Sequence, residues 1–236
     1  MKKKLSKRYK KLLEISKDKK SESISDAITK VKKNCTSKFD ESIDVSFLLN
    51  LKKKKEEINL RTIANLPNGN GKKIKIAILC EESKIQEAKD SGADLFGSDN
   101  LINDIVSGKI HFDKLIATPA MMSKMGKLGK ILGPKGLMPN PKLGTVTNNI
   151  KSSVKALRSG QIEIKNDKDG NLAASIGKKS FPDKKIEENY ESIKQTILKE
   201  KPNCVKGDFI LSAFLTSTMG VSYKLKLKGW NYDKQK

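Results

Sequence analysis

Between Asp113 and Glu163 the chain has no acidic residue. Nine bases occupy that gap: Lys114, Lys124, Lys127, Lys130, Lys135, Lys142, Lys151, Lys155 and Arg158. With no carboxylate to serve as acid or base, the stretch suits contact with a polyanion better than chemistry. Other shortages narrow the field further. The single histidine, His111, has no serine or cysteine motif to work with, and it reads as a solvated loop residue. Cys35, Cys80 and Cys204 are far apart and odd in number, so they fit neither a disulfide framework nor a zinc site and point to a reducing cytosol. Aromatic residues are 5% of the chain, too few for a surface that stacks on unpaired bases. No apolar run reaches the roughly 18 residues of a membrane span. No glycine is followed five residues later by Gly-Lys, and Gly69-Asn70-Gly71 lacks its third glycine. The phosphate loop and the dinucleotide fingerprint therefore both fail. The carboxylate pairs Glu81-Glu82 and Glu187-Glu188 bring no further ligands and read as helix ends and surface.

What is present is positive charge. The 236 residues carry a net charge of +22. Residues 1–67 hold 19 bases and 9 acids, residues 68–157 hold 14 and 8, and residues 158–236 hold 16 and 10. Every part is basic, which predicts a partner that touches more than one region. The N-terminal MKKKLSKRYKKLLEISKDKK lacks an apolar core and a cleavage site, and reads as a basic amphipathic arm. The acid-free stretch also holds Gly126, Gly129, Gly133, Gly136 and Gly144, with Pro134, Pro139 and Pro141. Glycine allows close backbone approach and proline stiffens. A structured RNA, read through shape, phosphates and 2′-hydroxyls, fits this better than a stacked single strand.

The pattern along the chain changes twice. Residues 24–33 read as a helix capped by Ser25, with Ala27, Ile28 and Val31 as its apolar face. Residues 38–51 read as a strand with Phe39, Ile43, Val45, Phe47 and Leu49 on one side. Lys52–Glu57 reads as a charged turn, and residues 58–66 as a second strand. Past the breaker cluster Pro67–Gly71 the texture becomes alternating strand and helix. The strands are expected at 73–80, 93–97 and 114–119, and the helices at 83–92, 99–109, 120–132 and 148–160. Met121, Met122 and Met125 read as core filling. From Gln161 the first texture returns, with a hairpin around Lys168-Asp169-Gly170. A long helix follows over 182–202 with Ile186, Tyr190, Ile193 and Ile197 as its stripe, then strands at 209–217 and 223–228. The expected fold class is mixed α+β and α/β. A discontinuous two-layer α+β domain, 1–67 with 158–236, carries an inserted three-layer Rossmann-like α/β domain, 68–157. Two adjacent connections would then form a hinge. An alternative is a nucleotide-binding α/β enzyme acting on RNA, which the missing phosphate loop argues against.

The central stretch resembles the signature of the large-subunit ribosomal protein L-one family, bacterial type. The residues are Gly126-Lys127-Leu128-Gly129, Leu132-Gly133-Pro134, Gly136-Leu137, Pro139-Asn140-Pro141-Lys142 and Gly144-Thr145-Val146. Lys7-Arg8-Tyr9, Lys38-Phe39-Asp40-Glu41, Ser91-Gly92-Ala93-Asp94 and Ser217-Thr218-Met219-Gly220 are family-like pieces in the right order. The resemblance implies a split α+β domain with an inserted Rossmann-like domain, no enzyme activity, and no cofactor or metal. It implies residence in the large ribosomal subunit, in bacterial cytoplasm rather than an organelle, and a monomer when free. The partners it implies are 23S ribosomal RNA at the mobile stalk, exit-site tRNA that is moved and released, and the protein's own messenger RNA, whose translation it represses. Carried over by motif, the RNA surface comprises Lys38, Phe39, Ser212, Thr216, Thr218, Met219 and Gly220, with Glu163 a weaker candidate. Lys127, Lys130, Lys135 and Lys142 would make an auxiliary RNA contact. Three departures stand out: Lys52-Lys53 where relatives often have Asp-Pro, Thr62 where a glycine is common, and Val221 where a proline usually follows the Thr-Met-Gly triad.

Overall fold

The computed structural model describes residues 6–15, 21–50, 60–108, 110–202, 205 and 207–227. The charged turn 52–57 and the tail 228–236, with the Lys52-Lys53 departure, lie outside the described residues. In chain order the elements are α1 (Lys7–Ile15), α2 (Ile24–Lys33), β1 (Ser42–Leu49), β2 (Arg61–Asn65), β3 (Ile76–Leu79), α3 (Ile85–Asp90), β4 (Leu95–Gly97), α4 (Asp99–Val106), β5 (Lys114–Ala117), α5 (Gly129–Leu132), α6 (Ile150–Arg158), β6 (Gln161–Lys165), β7 (Asn171–Lys178), α7 (Asp183–Lys199), β8 (Ile210–Ser217) and β9 (Tyr223–Lys224). The chain divides into two compact units: Met1–Gly71 with Ile162–Lys236, and Lys72–Gln161.

The unit built from both chain ends contains a four-stranded antiparallel sheet in the order β7-β1-β8-β9. Strand geometry sends alternate side chains to opposite faces. Ile43, Val45, Phe47 and Leu49 of β1 are accordingly buried, and Ser42, Asp44, Ser46 and Leu48 are only half-buried. The buried face packs on α2 through Ala27, Ile28 and Val31, and on α7 through Ile186, Tyr190, Ile193 and Ile197. The Phe47 and Tyr190 rings stack with centroids 6.0 Å apart. Burial, with the charge of Glu191 adding to it, pushes the Tyr190 phenol up to about 12.

Three local expectations need correction here. The cap of α2 is Ser23, not Ser25: its extended backbone lets Oγ accept from the Asp26 amide, whereas Ser25 lies inside the first turn. Strand β1 starts at Ser42, so Phe39 is not part of its buried row. Residues just before it turn instead, with the Asp40 carboxylate accepting from the Ser180 amide and hydroxyl. The hairpin at Lys168-Asp169-Gly170 is a turn without a ladder. Asp167 accepts from the amides of Asp169 and Asn171, but β6 then pairs with β2 and β7 with β1. The two arms are joined near the turn by the Asn166–Leu172 bridge and by Asp167–Asn171 hydrogen bonds, and beyond it each strand pairs elsewhere.

The segment leaving this unit after β2 is held by a buried amide. Asn189 of α7 donates to the carbonyls of Gly69 (2.9 Å) and Ile176 (2.7 Å) and accepts from the Asn68 amide (3.1 Å). Both amide protons and the oxygen of a fully buried side chain are thus engaged by the backbone.

The inserted unit has a three-stranded parallel sheet, β4-β3-β5. β3 is buried along its whole length, as a strand covered on both faces must be. Ile76, Ile78 and Ile116 pack with Ala88 of α3 and Ile150, Val154 and Leu157 of α6. Ala77, Leu79, Leu115 and Ala117 pack with Leu101, Ile102 and Ile105 of α4 and with Met121, Met125, Leu128 and Leu132. That is the three-layer α/β arrangement. The helix expected over 120–132 is instead two 3-10 turns, Pro119–Met122 and Lys124–Leu128, followed by the one-turn α5. Gly126 and Gly129 each weaken a helix by about 1 kcal/mol relative to alanine, so no long helix propagates there.

Candidate nucleic-acid interface

The segment after β8 is tied to Ser42 at the start of β1 and to Glu41 just before it. The Thr218 amide donates to the Ser42 carbonyl (3.1 Å), and the Ser42 amide donates back to Thr218 Oγ1 (3.0 Å). This extends the β1–β8 pairing past the end of the strand. The Met219 amide then donates to Glu41 Oε2 (3.1 Å), and the Ser37 amide donates to Glu41 Oε1 (3.1 Å). Glu41 is fully buried, and among the described residues no cation forms an ion pair with it. Burial pushes its carboxyl up, but the Ser217 hydroxyl and the Met219 and Ser37 amides outweigh that and hold it below the usual glutamate range. The charge is solvated by amides instead of water.

Gly220 fits closely against Ser217. A Cβ there would sit 2.3 Å from Ser217 Oγ, and the Gly220 amide donates to the Ser217 carbonyl (3.2 Å). Arg8 of α1 closes the other side, donating through Nε to Thr36 Oγ1 (3.0 Å) and through its terminal nitrogen to the Met219 carbonyl. The backbone of Met219 is therefore bonded at both its amide and its carbonyl, while its side chain is 47% exposed. Phe39, in the turn tied to Glu41 through Ser37, is 54% exposed. Lys38 is exposed beside it. Phe39 and Met219 are thus large apolar side chains left in water, and the Met219 backbone beneath one of them is held on both sides.

The other expected residues divide. Thr216 pairs with Asp44 on β8, on the half-buried face, and its hydroxyl donates to the Ser217 carbonyl (3.2 Å). Ser212 lies on the same face but pairs with Leu48 at the far end of the ladder. Six residues of strand put it roughly 20 Å along β8 from Thr218, so it is not brought to the triad. Glu163 is engaged by Arg61, whose Nε donates to Oε1 at 2.7 Å, in an ion pair across β2 and β6. Thr62, one of the departures, reaches Glu200 at the end of α7 (3.3 Å). Val221 is half-buried against the core, and the triad it follows is held by Ser42, Glu41 and Arg8 rather than by a fixed proline φ.

In the inserted unit Lys127, Lys130, Lys135 and Lys142 are all exposed, and none makes an ion pair among the described residues. They ride on a stretch whose apolar members, Met125, Leu128, Leu132 and Leu143, are buried. Left-handed Gly136 (φ +67°) turns the chain between Lys135 and Lys142, and left-handed Gly144 (φ +64°) turns it just after Lys142. Lys124 differs, pairing with Asp99 at 2.8 Å.

His111 is exposed in a loop, and among the described residues no group of three His, Cys, Asp or Glu could hold a metal ion. No described helix is long and apolar enough to cross a membrane.

Glu41, Arg8 and Thr36 were not among the residues expected from sequence. The signal available for Glu41 was its place in Lys38-Phe39-Asp40-Glu41, an acid directly before an alternating apolar strand.

The Ribosomal protein L1p/L10e family matches residues 31–221. The chain is 57% identical over 223 residues to the large ribosomal subunit protein uL1 of Pelagibacter ubique (strain HTCC1062), covering 94% of this chain and 97% of that one. It is 44% identical over 201 residues to the uL1 protein of Rickettsia bellii (strain OSU 85-389), covering 85% and 84%. It is 43% identical over 225 residues to the large ribosomal subunit protein uL1c of Phaeodactylum tricornutum (strain CCAP 1055/1), covering 95% and 98%. These are ribosomal proteins and not enzymes, and the matches run through both units, from Lys38 and Phe39 through the Gly/Pro stretch to Thr218-Met219-Gly220. The chain belongs to the ribosomal protein L1p/L10e family.

Proposed function

We propose that this protein is a constituent of the large ribosomal subunit that binds 23S ribosomal RNA at the mobile stalk. In this reading Lys38, Phe39, Thr218, Met219 and Gly220 form the main RNA contact, with Thr216 beside it and Ser212 further along β8. Lys127, Lys130, Lys135 and Lys142 add an auxiliary contact from the inserted unit. The observation that carries it is the exposed pair Phe39 and Met219 on two segments joined through one buried carboxylate. A rigid apolar pair edged by lysine suits the shallow, sugar-lined face of folded RNA, where shape and 2′-hydroxyls are read. From that position the protein aids movement and release of deacylated tRNA at the exit site. It acts as a monomer before assembly, in bacterial cytoplasm; the Pelagibacter and Rickettsia relatives support that compartment.

Filter binding to a transcribed stalk fragment of 23S ribosomal RNA tests the surface. Thr218→Ala and Met219→Ala each weaken binding about tenfold if these groups pack on the RNA, and wild-type affinity in both variants rejects the site. The same face would accept a stalk-like fold in the protein's own messenger RNA. A reporter carrying that transcript's leader is then repressed when the protein is in excess, and an unresponsive reporter removes this role alone.

A further inference from the structure

We infer that Glu41 and Arg8 are positioning residues of this RNA face, jointly fixing the Phe39 turn and the Met219 segment as one rigid piece; this rests on the function proposed above. Each residue independently bridges the same two segments. Glu41 accepts from the amides of Ser37 and Met219. Arg8 donates to the Thr36 hydroxyl and the Met219 carbonyl. One bridge lies in the interior and the other at the surface. Both end on the backbone of the one residue whose exposed side chain is to be presented.

A buried carboxylate is costly unless its oxygens are fully engaged. Here each oxygen meets an amide from a different segment, so the carboxylate is satisfied only when both segments are in place. Neither residue needs to touch RNA. They act by removing conformational freedom that binding would otherwise have to take away. The arm carrying Arg8 also gains a role beyond charge: α1 is fastened to the triad through that side chain.

Glu41→Gln separates positioning from bulk stability. The amide keeps the shape but offers one acceptor oxygen, so one of the two amides faces an NH2 group. The full chain carrying E41Q is compared with wild type, M219A and the E41Q/M219A double variant, using the stalk fragment. The expected result is about tenfold weaker binding by E41Q, with Met219→Ala costing far less in the E41Q background than alone. Carbon-13 methyl NMR of the RNA-free protein reports Met219 directly. Its methyl resonance moves and sharpens in E41Q, and again in Arg8→Ala, which removes a half-buried side chain and leaves no charge in the interior. Unchanged affinity in E41Q, or independent multiplicative losses for E41Q and M219A, overturns the inference. So does a Met219 methyl signal unmoved in both E41Q and R8A, and this arm decides the matter even if wild type fails to bind the fragment and the RNA reading itself falls.

Discussion

The two units expose their contact residues by opposite means. In the unit built from the chain ends, Met219 projects from a backbone that is bonded at both its amide and its carbonyl. In the inserted unit, four lysines project from short turns broken by glycine, over a well-filled core. The first design gives shape at fixed positions. The second gives charge on long, mobile stems, which attract phosphate over a distance but specify little. A polyanion with a defined fold can use both, one for fit and one for capture.

The sharpest way to break this comparison is to destabilise one unit and watch the other. Phe47 is 1% exposed and stacked on Tyr190, so Phe47→Ala removes about 3–5 kcal/mol from the end-built unit. Calorimetry is expected to show one transition moving down while the unfolding of the Lys72–Gln161 unit stays in place; a single transition that moves as a whole would show the units to be thermodynamically one.

A smaller effect is expected at Gly220. Gly220→Ala places a methyl 2.3 Å from Ser217 Oγ, an overpacking of about 1–3 kcal/mol that displaces the triad. Stalk-RNA affinity should fall more than tenfold with the inserted unit unaffected, read by filter binding and by amide shifts confined to the end-built unit. Gly126→Ala makes the control, since a Cβ there meets nothing within 4 Å.

Acid offers a milder perturbation of the same unit. Folding holds the Glu41 carboxyl below its usual range, so its contribution is complete above the unfolded value of about 4.3 and is lost as pH falls through the lower folded value. Between neutral pH and about 5 the Met219 amide signal should stay fixed, and it should shift only below that window. A shift centred near pH 6 would contradict the buried, amide-solvated carboxylate.

The smallest effect separates charge from shape. Lys127→Ala should weaken RNA binding only a few-fold and lower the slope of log affinity against log salt by about 0.7–0.9. Met219→Ala should weaken binding more and leave that slope alone. Equal slopes for wild type and Lys127→Ala would remove this lysine from the interface.

Much of this was readable in advance, and the misses have a common cause. The alternation in Ile43-Asp44-Val45-Ser46-Phe47 is local, and it correctly marked one face of β1 as core. So did the unbroken apolar run of β3 and the helical stripe of Ile186, Tyr190, Ile193 and Ile197. The β6–β7 hairpin misled because its turn chemistry is real, while the choice of strand partner depends on segments far away. At the proposed interface, Thr218-Met219-Gly220 and Phe39 are suggested by motif, whereas the residues that hold them are visible only in the structure. Glu41 and Met219 are 178 positions apart, and Arg8 and Met219 are 211 apart. No periodicity or cap signal spans such distances. Asn189 was missed for the same reason: it sits between helix positions of the apolar stripe, and its purpose lies in Gly69 and Asn68, 120 and 121 positions away.

That asparagine has an architectural corollary. The strand that departs toward the guest portion is knotted off at Asn68 and Gly69, before it leaves its host at Gly71. The stitching stays behind whatever is spliced beyond it. A chain in which residues 72–161 are replaced by a plain flexible tether would retain every fastener named for the host, which makes this a natural seam for exchanging one guest fold for another.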